Sequence, residues 1–238
     1  MRLSKYLSNY ALVSRRKADQ IIKSGLVSVN GQIVFDPWVR ISENDKVMIG
    51  KKIVKKNDKK IYIMLNKPEG VVCSSVAQNN NELTLTDIIK IKGTRIFPVG
   101  RLDKDSEGLL LLTNDGDFAY KITHPSFGIT KTYTVHTDLP IPPEKIKQLE
   151  KGIRDRNDLL KAKKIIKKAE NLYIFIMQEG KNREIRRLLK FIGLKVRKLR
   201  RTAIGKLRLD KQLSAGRWRF LLHKEIESLI YESNTRKM

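Results

Sequence analysis

Phe97-Pro-Val-Gly-Arg-Leu-Asp-Lys-Asp-Ser-Glu-Gly-Leu-Leu-Leu-Leu-Thr-Asn-Asp-Gly-Asp117 sets three carboxylates, Asp103, Asp105 and Glu107, between two apolar runs. The first run, 96–99, ends at Gly100. The second, 109–113, is too short and too continuous for a surface helix and stops at Asn114-Asp115-Gly116, so both are expected as buried strands. The acidic segment is then a loop held at each end by the core, a mount that fixes a reactive group while leaving it accessible.

Three chemistries compete for such a loop. Asp103-x-Asp105-x-Glu107-Gly108 begins like a calcium loop, but the ninth and twelfth positions fall on Leu111 and Asn114, where a calcium site needs a bidentate Glu at the twelfth. A glycosidase pair needs two facing carboxylates, and nothing else in the chain suggests a neutral sugar. A solvated acidic turn is the plain structural alternative. Against it stands the setting, an acidic cluster flanked by Arg101 and Lys104 in a strongly basic protein.

Working outward, the 238 residues carry 50 Lys plus Arg against 25 Asp plus Glu, a formal charge of +25. A field of that sign attracts polyanions. The cations are interleaved with apolar residues, which favours a folded nucleic-acid binder over a membrane-surface protein. No apolar run approaches the ~20 residues of a membrane span, and the first residues lack a signal peptide's apolar core. The lone Cys73 excludes an internal disulfide and a cysteine-rich zinc site, and suits a reducing cytoplasm. With only His124, His136 and His223, no tight histidine pair exists, so no metal site is expected.

Residues 1–58 form an expected first domain. Leu3 and Leu7 are at helical spacing. A second helix follows with Ser14 as N-cap, Ala18, Ile21 and Ile22 on the core face, and Gly25 beyond its end. Val27-Ser-Val and Gln32-Ile-Val flank Asn30-Gly31, a type I′ hairpin signal. Arg15, Arg16 and Lys17 occupy the first helical turn, where the helix dipole disfavours cations. A capped N-terminus with three cations is a ready phosphate site. Through Arg2-Leu-Ser-Lys5-Tyr-Leu, the Ser14 to Ile22 run and Val27-Ser-Val-Asn-Gly, this segment resembles the small RNA-binding domain named after a ribosomal small-subunit protein. The resemblance implies recognition of RNA shape and backbone.

The basic stretch 51–60 is expected as a linker, and a second domain over 61–235. Strands are expected over 61–65, 71–73, 96–99, 109–113, 132–135 and 172–177, and helices near 85–91, 143–151, 182–192 and 224–231. This irregular order predicts an α+β fold with a mixed, largely antiparallel sheet. The asparagine run at 79–81 is too short for low complexity. In the helix near 182–192, Ile185, Leu188, Leu189 and Ile192 mark the core face. Arg183, Arg187 and Lys190 point away from it, and Arg186 lies at the boundary, where it can reach a buried carboxylate. From Lys181 to Arg208 twelve cations face Glu184 alone, an expected RNA face. Lys131-Thr-Tyr-Thr-Val-His136 alternates as a strand with Tyr133 and Val135 on one face; His124 and His136 are expected to be structural.

Taken together, Gly100-Arg-Leu-Asp-Lys-Asp-Ser-Glu-Gly-Leu-Leu-Leu-Leu-Thr-Asn-Asp-Gly, Lys131-Thr-Tyr, Gly180-Lys-Asn-Arg-Glu-Ile-Arg-Arg, Asn66-Lys-Pro-Glu-Gly, Leu199-Arg-Arg-Thr-Ala-Ile-Gly and Leu213-x-x-Gly-x-x-Arg219 resemble the RsuA family of pseudouridine synthases. The likeness covers almost the whole chain, with Glu184 standing where many relatives carry glutamine. It implies a cofactor-independent isomerase acting on uridine in ribosomal RNA, more with the large-subunit than the small-subunit RNA. It also implies Asp103 as the catalytic carboxylate, Tyr133 against the target base, and Arg186 paired with Asp103. Arg101, beside the nucleophile, is expected to fill the space left by a flipped uridine. Arg2, Lys5, Arg15, Arg16, Lys17, Arg101, Lys131, Lys181, Arg183 and Arg187 are the expected RNA contacts. The expected partner of this monomer is ribosomal RNA or a pre-ribosomal particle, with no membrane. The competing class is a noncatalytic RNA-binding or ribosome-assembly factor that keeps the fold only for docking.

Overall fold

A computed structural model describes residues 1–74 and 82–235; the asparagine run lies outside them. The chain divides into two compact units, Met1–Lys60 with Ile91–Ile96, and Ile61–Lys90 with Phe97–Met238.

In the first unit, α1 (Leu3–Tyr10) and α2 (Arg15–Lys23) bury Leu3, Tyr6, Leu7, Ala18 and Ile22 against Val27, Ile41 and Val47. The Ser14 hydroxyl accepts a 3.2 Å bond from the Lys17 amide, one of the donors that a helix start leaves unpaired. Strands β1 (Val27–Val29) and β2 (Gln32–Ile33) join through Asn30 and Gly31, both left-handed at φ 53° and 87°, as a type I′ turn requires. With β3 (Val47–Ile49) and β4 (Lys52–Ile53) they make an antiparallel sheet in the order β2-β1-β3-β4. The expected linker therefore begins later than residue 51. Ile53 pairs with Met48 and Val54 is buried, so the apolar alternation of this basic stretch is sheet.

The second unit is built on a nine-stranded sheet. Its members are β5 (Tyr62–Lys67), β6 (Phe97–Val99), β7 (Glu107–Thr113), β8 (Lys131–Thr137), β11 (Lys164–Ala169), β12 (Leu172–Met177), β13 (Val196–Ile204), β14 (Leu207–Arg208) and β15 (Trp218–Phe220), while β9 (Ile153–Asp155) and β10 (Asp158–Leu160) form a separate hairpin. The order is β11-β12-β8-β13-β7-β5-β15, with β14 on β13 and β6 on β7. Every pairing is antiparallel except β13 with β7, which makes the fold α+β with a mixed, largely antiparallel sheet. The helices are α3 (Leu85–Ile88), α4 (Gly116–Thr123), α5 (Pro143–Lys151), α6 (Glu184–Phe191) and α7 (His223–Thr235). Two cores flank the parallel junction: one gathers Val135, Tyr173, Phe175, Leu188 and Leu189, the other Met64, Leu109, Leu111, Phe118 and Leu229.

Three departures from the sequence expectations have local causes. Residues 71–73 are no strand; Val72 makes only an isolated bridge with Thr84, its amide bonding the Leu83 carbonyl at 2.8 Å. The turn at Asn114-Asp115-Gly116 also starts α4, because the Asp115 carboxylate accepts the amides of Asp117 and Phe118 at 3.0 and 3.2 Å. Strands β11 and β13 are rich in lysine and arginine on their exposed positions, which hides their period in a hydropathy pattern.

Candidate active site

The acidic segment is the connection between β6 and β7, which pair antiparallel from Phe97 against Thr113 to Val99 against Leu111. A turn closes it, with the Ser106 amide donating to the Asp103 carbonyl at 3.1 Å. The Gly70 amide holds it from outside through the Lys104 carbonyl at 2.8 Å. Beneath it lies Lys67, fully buried, whose ammonium donates to the carbonyls of Ser106 at 2.7 Å and Pro68 at 3.0 Å. Burial pushes the Lys67 amine below its ordinary value, and the neighbouring Cys73, Asp105, Asp103 and Glu69 oppose that. Sequence reasoning quoted Lys67 within a motif but gave it no task. Its signal is a lysine at the end of β5, two positions after the apolar run.

The turn sends the three carboxylates to three different places. Glu107 leaves the loop and stitches the parallel junction, with Lys198 Nζ at 3.2 Å and Arg200 Nε at 3.9 Å. Asp105 faces the start of α6, where Arg183 donates through Nη1 at 3.2 Å and Nη2 at 2.9 Å and Arg186 Nε stands at 3.3 Å. Burial raises the Asp105 carboxyl, but the Arg183 hydrogen bonds and the charges of both arginines outweigh it and hold the group below the usual carboxylate range. Asp103 lines a cavity of about 520 Å³, with Arg183 Nη1 at 3.9 Å.

This corrects the expected pair of Arg186 with Asp103. Arg186 reaches the same loop but closes on Asp105, through its Nε and through a 2.7 Å bond from Nη2 to the Asp105 carbonyl. The reason is the turn itself, which presents residue 105 to α6. Arg183 is placed to bridge the two carboxylates by a left-handed backbone at φ 49°, uncommon for a residue with a side chain.

Across the cavity, Tyr133 and Lys131 stand two apart on β8 and line the same space. Arg201 faces Tyr133 in register across the β8–β13 ladder. It is 4% exposed, and its guanidinium ties three elements together. Nε donates to the Leu109 carbonyl at 2.7 Å, and Nη1 approaches the Arg101 carbonyl at 3.3 Å and the Tyr133 hydroxyl at 3.5 Å. Burial, reinforced by the Arg201 charge, pulls the Lys131 amine down to about 8. Sequence reasoning quoted Arg201 within a motif and counted it among the cations, but gave it no place at the cavity. Its phase with Leu199, which puts an arginine on the buried face of a strand, was the available signal.

The remaining expected RNA contacts divide by what they touch. Arg15, Arg16 and Lys17 are exposed at the capped start of α2, Lys5 is half-buried on α1, and Arg2 lies 4.2 Å over the Trp38 ring. Arg101 is exposed at the cavity. Lys181 is held by Glu179 at 2.8 Å and the Leu159 carbonyl at 2.6 Å. Arg187 clasps Asp155 and Asp158, fastening α6 to the β9–β10 hairpin. Its two carboxylate partners make it a structural clamp. Among the described residues no group of three or more His, Cys, Asp and Glu suits a metal ion, and no helix is long and apolar enough to cross a membrane.

A carboxylate, a phenol and several arginines around one cavity of a strongly basic α+β unit define a site for a polyanionic substrate and for acid–base or nucleophilic chemistry. The RNA pseudouridylate synthase family model matches residues 61–191, and the S4 domain model matches residues 1–47. Ribosomal large subunit pseudouridine synthase B of Bacillus subtilis (strain 168) is 37% identical over 96% of this chain and 95% of its own length. Ribosomal small subunit pseudouridine synthase A of Vibrio vulnificus (strain CMCP6) is 35% identical, over 96% and 99%. A crystal structure of a pseudouridylate synthase superposes with a TM-score of 0.70 at 31% identity, over 96% of this chain and 99% of that one. The chain belongs to the RNA pseudouridylate synthase family, and is thus an isomerase carrying an N-terminal S4 RNA-binding domain.

Proposed function

We propose that the protein isomerises uridine in ribosomal RNA with Asp103 as the catalytic carboxylate. One observation carries the assignment: of the three loop carboxylates, Asp105 and Glu107 are engaged by cations at 3.3 Å or less, whereas Asp103 lines the cavity shared with Tyr133 and its ion pair is a long 3.9 Å contact. The Asp103 carboxylate attacks C1′ or assists departure of uracil, and the C1′–N1 electron pair goes to N1. The freed uracil turns and its C5 bonds to C1′, releasing the carboxylate. Tyr133 then helps pass the C5 proton to solvent, and N1 gains one, so that the product is an isomer. Arg186 acts one residue away, holding the loop through Asp105. Arg101, exposed at the rim, replaces the flipped nucleotide in the RNA stack.

The substrate reading rests on relatives named for both ribosomal subunits, and the large subunit is favoured by the Bacillus subtilis relative. The α2 cations then hold RNA phosphates as the S4 domain match supports. The protein is read as a monomer working in the cytoplasm, where relatives named for the ribosomal subunits would meet their substrate. Tritium release from ribosomal RNA transcripts labelled at uridine C5 tests the proposal. Asp103→Asn should fall below about a hundredth of wild-type release with the fold intact. Unchanged release by that variant defeats the assignment, and no release by wild type from either subunit's RNA defeats the substrate.

A further inference from the structure

Beyond Arg183, on the far side of the wall that it forms with Asn182, lies a second groove of about 570 Å³. It is lined by Asn182 and Arg183, which it shares with the catalytic cavity, and by Arg156, Lys190, Phe191 and Asp155. Three properties separate it from an ordinary basic surface. Arg156 and Lys190 are exposed and make no ion pair among the described residues, unlike their neighbours Arg183 and Arg187, which are spent on carboxylates. Phe191 presents an aromatic face to the same groove at 51% exposure, although it belongs to a helix whose other apolar residues are buried. Arg156 at φ 55° and Arg183 at φ 49° are, among the described residues of this unit, the non-glycine positions with a left-handed backbone, and both line the groove. Strained backbone of this kind persists where the surrounding structure holds it, and it clusters at binding sites.

Unspent cations beside an exposed ring form the combination that holds single-stranded nucleic acid: charges take the backbone while the ring stacks on a base. We propose that this groove is a subsite for an unpaired nucleotide flanking the target uridine, its base stacked on Phe191 and its phosphate held by Arg156 and Lys190. The strand would leave the catalytic cavity over Asn182 and Arg183, the residues common to both. That connection rests on the reading of the cavity as the uridine site; the binding of an unpaired nucleotide in the groove does not. Asp155, the acidic side chain of the lining, shares the Arg187 guanidinium with Asp158, and Asp158 also feels the charge of Arg156 without an ion-pair contact, so Arg156 keeps its donors for a phosphate. A double-stranded segment offers no free base face to the ring, so the subsite discriminates single strands from duplexes.

The experiment is fluorescence anisotropy of the full-length protein with a fluorescein-labelled ten-nucleotide single-stranded RNA, and with a blunt duplex of the same length. Phe191→Leu should weaken binding of the single strand roughly tenfold and change duplex binding by less than about twofold, while Phe191→Tyr restores single-strand affinity. Arg156→Gln with Lys190→Gln should make the log–log salt dependence on the single strand shallower by about 0.7, the share of the one phosphate they hold. Tyr231→Leu, an exposed aromatic on α7 at 66% exposure, serves as control. Wild-type affinity in Phe191→Leu, or an equal loss on both RNAs, overturns the stacking subsite. An unchanged salt slope overturns the phosphate contacts. Because the readout is binding, a wild-type protein inactive in tritium release would sink the proposed function and leave this result to stand or fall alone.

Discussion

Gly108→Ala is the sharpest test of how the sheet builds the site. Gly108 stands opposite Arg201 in the parallel junction, at φ +103°. A Cβ there would lie 2.3 Å from the Arg201 carbonyl oxygen and 2.9 Å from its amide nitrogen, both backbone atoms that no rotamer change can move. To reach even 3.0 Å the strands must part by about 0.7 Å, the difference between 3.0 and 2.3. An alanine held at positive φ costs ~1–2 kcal/mol, and each junction hydrogen bond stretched by the opening costs ~1 kcal/mol. The expected loss is therefore ~3–4 kcal/mol, or a drop in Tm of roughly 6–16 °C for a protein of this size. Urea unfolding measures it. Gly116→Ala, at the first position of α4 with nothing within 4 Å of the added Cβ, should be neutral or stabilising by up to ~1 kcal/mol. A Gly108→Ala variant within ~1 kcal/mol of wild type refutes the close approach as the reason for glycine.

Arg201→Lys keeps the charge but cannot serve Leu109, Arg101 and Tyr133 at once. A tenfold or larger fall in kcat with KM within about threefold is expected in tritium release, and the reverse pattern would make Arg201 an RNA contact instead. For Lys131, burial holds the folded-state amine near 8 against 10.5 when exposed, so folding favours its neutral form. Its contribution to stability is complete above about pH 10.5 and lost as pH falls through about 8, and wild type should gain stability over that window where Lys131→Gln does not. The same ammonium discharges as pH rises, so the lysine-dependent part of RNA affinity should fade between pH 7 and 9. Ser14→Ala removes the α2 cap and should cost ~1 kcal/mol in the urea unfolding of the S4 unit, with no change if the hydroxyl does not cap in solution.

What was legible in the sequence is what local rules govern. The Ser14 cap, the Asn30-Gly31 hairpin, the apolar phase of α6 and the strand-mounted acidic loop each follow from a few neighbouring residues, and each has its counterpart in the structure. Long-range register is less legible. Nothing within Asp103-Lys-Asp105 tells which carboxylate a distant arginine will choose; the backbone turn at Ser106 decides it, and it presents Asp105 to Arg186. Arg201 hid for a related reason: in a stretch crowded with cations, the buried one is distinguished only by the strands on either side. Arg187 shows the same limit: charge alone does not tell an unpaired surface cation from one that clasps Asp155 and Asp158.

The parallel pairing of β7 with β13 also bears on the order of folding. The two cores lie on opposite sides of it, one built mainly from β8, β12 and α6, the other from β5, β7, α4 and α7. Some strand pairs join neighbours that are close in the chain, such as β11 with β12, whereas Glu107 meets Arg200, and Leu65 meets Trp218, only after long loops have closed. Loop closure over such spans is slow relative to local pairing. Asp103 sits on one side of the junction and Tyr133 on the other, so neither half alone holds both. On refolding, secondary structure should return before catalysis, and the appearance of activity marks the moment at which the two halves join.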